Sequence, residues 1–345
     1  METILAIDLG KFKSVACVYS VSSKDCRYET IKTSKQNLHD LIIKVEPDVI
    51  AIEICNIAGW VCDLAEMLEV EIKVANPHDE RWSWKKVKNK SDRKDALKLA
   101  KLTAMGELPL VHVPAKSVRG RRSLINYRYS LVQRSTQIKN SIRALLQAED
   151  IAMPKGKSAW TLKYVEYLNQ LADENMESGE VWPAKLKTEL MMLETVQEAM
   201  VITEGKLDEM NAEDKNVKLM LTTPGVGLRL AETVSAYIDD PHRFENFKQV
   251  GCYAGLTQRE NSSGEKSNKQ SKGISGKGNK LLRSMLVEVS WLMLRYNSWA
   301  RETYERIRRG DDKRKLIAIV AVARQLLVRL WAMMRDGTTW QMPAK

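Results

Sequence analysis

The chain has 345 residues, of which 44% are apolar, enough to core two or three domains and too apolar for a disordered polymer. Its 55 Lys and Arg against 44 Asp and Glu give a formal charge of +11, which points to a polyanionic partner, most economically nucleic acid. The five cysteines, Cys17, Cys26, Cys55, Cys62 and Cys252, form no CxxC pair or zinc spacing, so reduced, mostly buried thiols are expected. With no leader-like N-terminus, this predicts a cytoplasmic protein without a membrane partner.

From the N-terminus, strand-like runs ("ETILAIDL", "SVACVYSV", "DVIAIEI", "EIKVANP") alternate with helical ones ("NLHDLIIKV", "WVCDLAEMLEV", "DALKLAKLTAM"). That alternation predicts an α/β domain, a sheet flanked by helices. Asp8 ends the first strand and Glu53 ends "DVIAIE", so adjacent strands would present both carboxylates at one sheet edge. "KNKSDRKDALKLA" then places Asp92 and Asp95 one helical turn apart, with Ser91 as N-cap. Taken singly, each acid reads equally well as a cap or a surface charge. Jointly, four convergent carboxylates need a cation between them, and hard oxygen donors suit Mg²⁺ or Mn²⁺. Two such ions about 3.5–4 Å apart serve in-line attack on a phosphodiester. Lys86, Lys88 and Lys90 crowd the two helical acids, as expected where a phosphate backbone approaches.

From about Ser117 to Asn211 the strands give way to long, charged, heptad-like stretches broken at "AMPKGKSAW" and "ESGEVWP", the pattern of a helical arm. From Val217 onward the chain is again helical. "LTTPGVGLRLAETVSAYI" reads as helix, Pro-Gly-Val-Gly turn, helix, a form that presents backbone amides to a phosphate or simply makes a tight turn. "GLTQRENSSGEKSNKQSKGISGKGN" sets Ser262 and Ser263 before Gly264 amid Arg259, Lys266, Lys277, Lys280 and Arg283. Such a segment is a linker, or a nucleophile held among cations. "LIAIVAVARQLLVRLWAMM" carries Arg324 and Arg329 and is expected to be a buried helix rather than a membrane span. No internal repeat is present.

The order of "AIDLGK", "AIE", "NKSDRKDALKLA", "TPGVG", "RFENFKQVGCYAGLTQRENSSGE" and "SKGISGKGNKLLRSMLVE" resembles the DEDD transposases of bridge-RNA-guided insertion sequences, related to the Piv DNA invertases. The likeness covers nearly the whole chain apart from the middle arm. It implies a RuvC-like (ribonuclease H) domain over residues 1–150, a helical coiled-coil arm over 151–212 and a mainly α-helical serine transposase domain with a helix-hairpin-helix-like element over 213–345. It further implies that Asp8, Glu53, Asp92 and Asp95 are the metal-binding DEDD set and that Ser263, directly before the glycine, is the nucleophile. The implied partners are a structured bridge RNA, donor and target DNA, and copies of the same chain, as dimers that assemble into a tetrameric synapse. Where the family often has Thr-Gly after the second acid, this chain reads "EICNIAGWV", so the turn after Glu53 is expected to differ.

Two rival classes remain open. A RuvC-like nuclease or resolvase would hydrolyse DNA with water and need no serine. An actin-like ATPase or sugar kinase also begins with a strand and an Asp-x-Gly turn, but the chain has no later glycine-rich adenosine loop. A non-catalytic nucleic-acid scaffold is a weaker third.

Overall fold

The computed structural model describes residues 2–77, 91–258 and 273–342. They pack as two compact units, Met1–Arg119 and Gly120–Lys345.

The first unit is a five-stranded sheet of β1 (Thr3–Asp8), β2 (Lys13–Ser20), β3 (Cys26–Lys32), β4 (Val49–Glu53) and β5 (Glu71–Ala75), in the order β3-β2-β1-β4-β5. β1–β2 and β2–β3 are antiparallel, whereas β1–β4 and β4–β5 are parallel, the ribonuclease H-like arrangement. The parallel pairings require crossovers, which α1 (Lys35–Val45) and α2 (Ala58–Met67) supply. Their apolar faces bury Leu38, Ile42, Val61 and Leu64 against Leu5, Ile7, Ile50 and Ile52. α3 (Asp92–Ala104) covers the opposite face, where Ala96, Leu99 and Ala100 pack on Ile4, Ala6, Cys17 and Ala51. Each fully buried Leu or Ile contributes about 1.5–3 kcal/mol.

β3 is absent from the sequence expectation. "CRYETIK" is an edge strand with one side open, so it carries a polar composition that hides its period. The β1–β2 turn explains the glycine of "DLGK": a Cβ at Gly10 would stand 2.2 Å from the Lys13 carbonyl oxygen. A close approach within the turn therefore requires this glycine, with no phosphate needed to account for it.

The second unit is helical. α4 (Lys116–Ala148), which crosses the division between the units, is followed by α5 (Leu162–Glu174) and α6 (Trp182–Ala212). Arg121 meets Asn211, Arg128 meets Glu204 and Ser141 meets Glu189, so α6 runs antiparallel to α4. Beyond them, Ile142, Leu146, Leu168, Leu186 and Leu190 form a core shared by α4, α5 and α6. The remaining helices are α7 (Lys215–Leu221), α8 (Leu228–Ile238), α9 (Phe247–Tyr253), α10 (Lys280–Tyr296), α11 (Ser298–Arg308) and α12 (Lys315–Asp336). α12 is long and apolar enough to cross a membrane by composition, yet Ile319, Val322, Leu326 and Leu330 lie in the core of this unit.

All five cysteines are free, but only Cys17 is buried, and Cys26 and Cys252 are exposed, which corrects the expectation of mostly buried thiols. Cys26 begins the edge strand and Cys252 lies on the outer side of α9, positions where a short side chain meets solvent.

Candidate nucleic-acid-processing site

Strand alternation decides where the first two acids point. β1 and β4 pair in register, Ile4 with Val49 through Ile7 with Ile52, so Asp8 and Glu53 follow as neighbours at the same edge. Ala6 and Ala51 belong to the face under α3, and a period of two puts Asp8 and Glu53 on that face too. Asp95 is in the first turn of α3 and only 9% exposed, next to the buried Ala96. Asp92, one turn earlier, is exposed. Ser91 takes the N-cap position with extended backbone, and its carbonyl accepts the Lys94 and Asp95 amides, but its hydroxyl makes no capping bond.

Sequence reasoning missed Lys98. It stands one turn after Asp95, half-buried; burial pushes its ammonium below the ordinary lysine range, while the negative charges of Asp95 and Glu53 push it the other way. A single ammonium thus lies in the field of an acid from α3 and an acid from β4. The signal was available in "DALK", where the lysine is three residues from the acid and shares its helix face.

These are hard oxygen donors on one face, with a chemistry that fits Mg²⁺ or Mn²⁺. Among the described residues, no three His, Cys, Asp or Glu side chains are gathered closely enough to hold a metal ion as they stand. The donor chemistry of these carboxylates fits the ion.

After Glu53 the chain reads "ICNIAGW" with no Thr-Gly step. It leads into α2, where a Cβ at Gly59 would stand 2.7 Å from Arg119 Nε. Gly59 leaves room for the Arg119 guanidinium, which donates to both Asp63 carboxylate oxygens at 2.5 and 2.6 Å.

Lys86, Lys88 and Lys90 before α3, and Arg259, Ser262, Ser263 and Lys266 in the second unit, lie outside the described residues. The roots of the serine-bearing segment are described. Gln258 bridges Ile274, and the Ser275 amide donates to the Thr257 carbonyl at 2.8 Å, so the two ends leave side by side. Immediately beyond, the chain crosses itself. A Cβ at Gly255 (φ 68°) would lie 1.8 Å from the Lys277 carbonyl oxygen, and one at Gly278 (φ 98°) would lie 2.5 Å from the Tyr253 carbonyl oxygen. The Asn279 amide donates to that Tyr253 carbonyl, and Asn279 Oδ1 caps α10 through the Leu282 amide. "GISGKGN" is therefore a backbone crossing that only glycine permits. Lys277 and Lys280 are exposed beside it, whereas Arg283 is half-buried and donates from Nη1 to the Ala254 carbonyl.

The Pro-Gly-Val-Gly turn joins α7 to α8 and lies under α10. A Cβ at Gly225 (φ 93°) would meet Met293 Cγ at 2.7 Å, and the Val226 amide donates to Thr223 within the turn.

Comparison with known proteins agrees with this order of parts. Residues 5–149 match the IS110-type DEDD transposase model, and residues 217–305 match the model for the transposase IS116/IS110/IS902 family. The chain is 28% identical over 261 residues to the transposase for insertion sequence element IS1111A of Coxiella burnetii, covering 73% of this chain and 69% of that protein. It is 31% identical over 121 residues to the pilin gene-inverting protein of Moraxella lacunata, covering 34% and 37% of the two chains. A solved RuvC of T. thermophilus in complex with a Holliday junction substrate aligns with 32% of this chain and 100% of its own, at a TM-score of 0.24 and 16% identity. With the acidic half and the serine-bearing half each matched by its own model, in the order they have here, the chain belongs to the IS110/IS116 family of DEDD transposases.

Proposed function

We propose that this transposase cuts and rejoins DNA through a 5′-phosphoserine bond. Ser263 Oγ attacks the scissile phosphorus, the bond from phosphorus to the 3′ oxygen breaks, and a free 3′-hydroxyl departs with the proton. The phosphoester is conserved, so rejoining needs no ATP. Asp8, Glu53, Asp92 and Asp95 would hold Mg²⁺ or Mn²⁺, which when bound would supply charge stabilisation at the phosphate and ease deprotonation of the serine. Lys98 keeps Asp95 and Glu53 partly neutralised. A structured bridge RNA pairs with donor and target DNA and so chooses the site, while the protein holds backbone and shape. Dimers assemble into a tetrameric synapse in which the serine of one protomer serves the acids of another.

The observation that carries this reading is the pairing, in one chain, of a sheet face bearing Asp8 and Glu53, covered by the helix that carries Asp95, with a serine segment whose two ends are pinned by a glycine crossing. A hydrolytic nuclease needs the first and has no use for the second.

The test is a suicide DNA substrate that cannot be rejoined. An adduct that survives boiling in detergent is expected, attached through the DNA 5′ phosphate at Ser263 by mass spectrometry. It should be lost in Ser263→Ala and in Asp95→Asn and kept in Ser262→Ala. Free 5′-phosphate ends, no adduct and continued cutting by Ser263→Ala would instead establish hydrolysis by water.

A further inference from the structure

The second unit carries an open groove along the outer face of α12. Its largest section, about 800 Å³, is lined from α9 by Phe247 and Lys248, from the roots of the serine segment by Gln258 and Ile274, and from α12 by Leu316, Ile317 and Arg324. Three of these apolar side chains face solvent: Leu316 is 72% exposed, Phe247 53% and Ile317 52%. Phe247 and Arg324 also line a second section, about 440 Å³, that continues to Trp299, Val328 and Arg329. From Leu316 to Arg329 the helix rises about 20 Å, room for a few unstacked nucleotides.

Its chemistry selects the occupant. Among the described residues, no side chain lining either section is acidic, and Lys248, Arg324 and Arg329 are cationic. Arg324 runs across α9 where Gly251 leaves space, a Cβ there standing 3.3 Å from its Cγ and Cδ. Among the described residues it makes no ion pair. Arg329 stacks against Trp299 and Trp340, at 4.9 and 4.0 Å from the ring centres, while the Phe247 ring stacks on no other ring among the described residues. An apolar floor, an unpaired aromatic face and a described lining whose charged residues are all cationic suit unpaired bases joined by phosphates, because base faces stack on rings and the backbone takes the cations. A docked apolar helix would use the floor and leave the cations unmatched.

We propose that this groove holds unpaired DNA nucleotides adjoining the phosphate that is cut. DNA is chosen over RNA because the groove begins at the two ends of the segment bearing Ser263, a choice that rests on the rejoining reading above.

The experiment measures fluorescence anisotropy of the full chain with oligothymidine, oligouridine and duplex DNA of equal length. Oligothymidine should bind best. Phe247→Ala and Arg324→Gln should each weaken it by about tenfold, the scale of one stacked base, and change duplex binding less than about twofold. Because Phe247 and Arg324 are surface residues, the unfolding midpoints of both variants should match the wild type. Bromodeoxyuridine in the oligothymidine should photo-crosslink to α9 or α12. Equal losses on duplex, or crosslinks elsewhere, would overturn the proposal. So would tighter binding of oligouridine with the same sensitivity, which gives the groove to RNA. A change of oligomeric state in Leu316→Asp with oligothymidine binding intact would assign it to a second copy. Ser263→Ala should retain oligothymidine binding, so failure of the phosphoserine reading and failure of the groove are separable.

Discussion

At the scale of single residues, two glycines and one lysine say most. Gly255 and Gly278 lie at positive φ with backbone oxygens in the space a side chain would take, so no rotamer change relieves an added methyl group. At Gly276 (φ 66°) an added Cβ would have nothing within 4 Å. Gly278→Ala and Gly255→Ala should therefore each cost roughly 3 kcal/mol or more, and Gly276→Ala about 1 kcal/mol, the penalty of left-handed backbone alone. Urea unfolding of the three variants checks the ranking, and equal midpoints would remove the crossing from the account. Lys98 is the third case: it lies in the field of Asp95, three residues away, and also of Glu53, 45 positions away in sequence.

At the scale of elements, the N-terminus of α7 is tied to α4, α6 and α8 by one polar network. Asp214 caps α7 through the Asn216 and Val217 amides at 2.8 and 3.1 Å, and also accepts from Arg121 at 2.5 Å and Ser235 at 2.7 Å. Burial pushes its carboxyl up, but the Ser235, Arg121 and Val217 hydrogen bonds outweigh burial and hold it below the ordinary aspartate range. A depressed carboxyl stabilises the fold fully above the unfolded value, and that contribution is lost as pH falls through the folded one. Glu232, also in the network through Asn211 and Arg229, is pushed up by burial and has the opposite sign: its contribution is lost as pH rises. Asp214→Asn should cost about 3 kcal/mol at neutral pH, because Arg121 loses its buried partner. It should also lose less stability than wild type between about pH 5 and about pH 3. Denaturant midpoints at several pH values test both, and parallel pH curves would show that Asp214 is not depressed.

At the scale of the whole molecule, the +11 charge is the electrostatic footprint of a DNA-acting enzyme. Lys277 and Lys280 are exposed beside the serine segment, and neither is a fixed part of the crossing through its side chain. Lys277→Gln with Lys280→Gln should lower duplex DNA affinity at low salt and reduce the slope of log affinity against log salt by about 1 to 2. An unchanged slope would place the DNA backbone on other cations. Substitution of Arg283 belongs to a different class, since its bond to Ala254 predicts lost stability before lost binding.

What the sequence determined by itself is local and periodic. The ends of "ILAID" and "VIAIE" set Asp8 and Glu53 at one sheet edge, and helical spacing in "DRKDALKLA" put Asp92 and Asp95 one turn apart. The polar edge strand β3 was illegible because a strand open to solvent has little hydrophobic pattern to read. Tertiary structure alone decided that α3 covers the face of Ala6 and Ala51, that Lys98 stands in the field of both Asp95 and Glu53, and that Gly255 and Gly278 are pressed against each other's chain. Periodicity reports which face a residue occupies, but nearness between distant segments is fixed only when crossovers and packed cores bring those faces together.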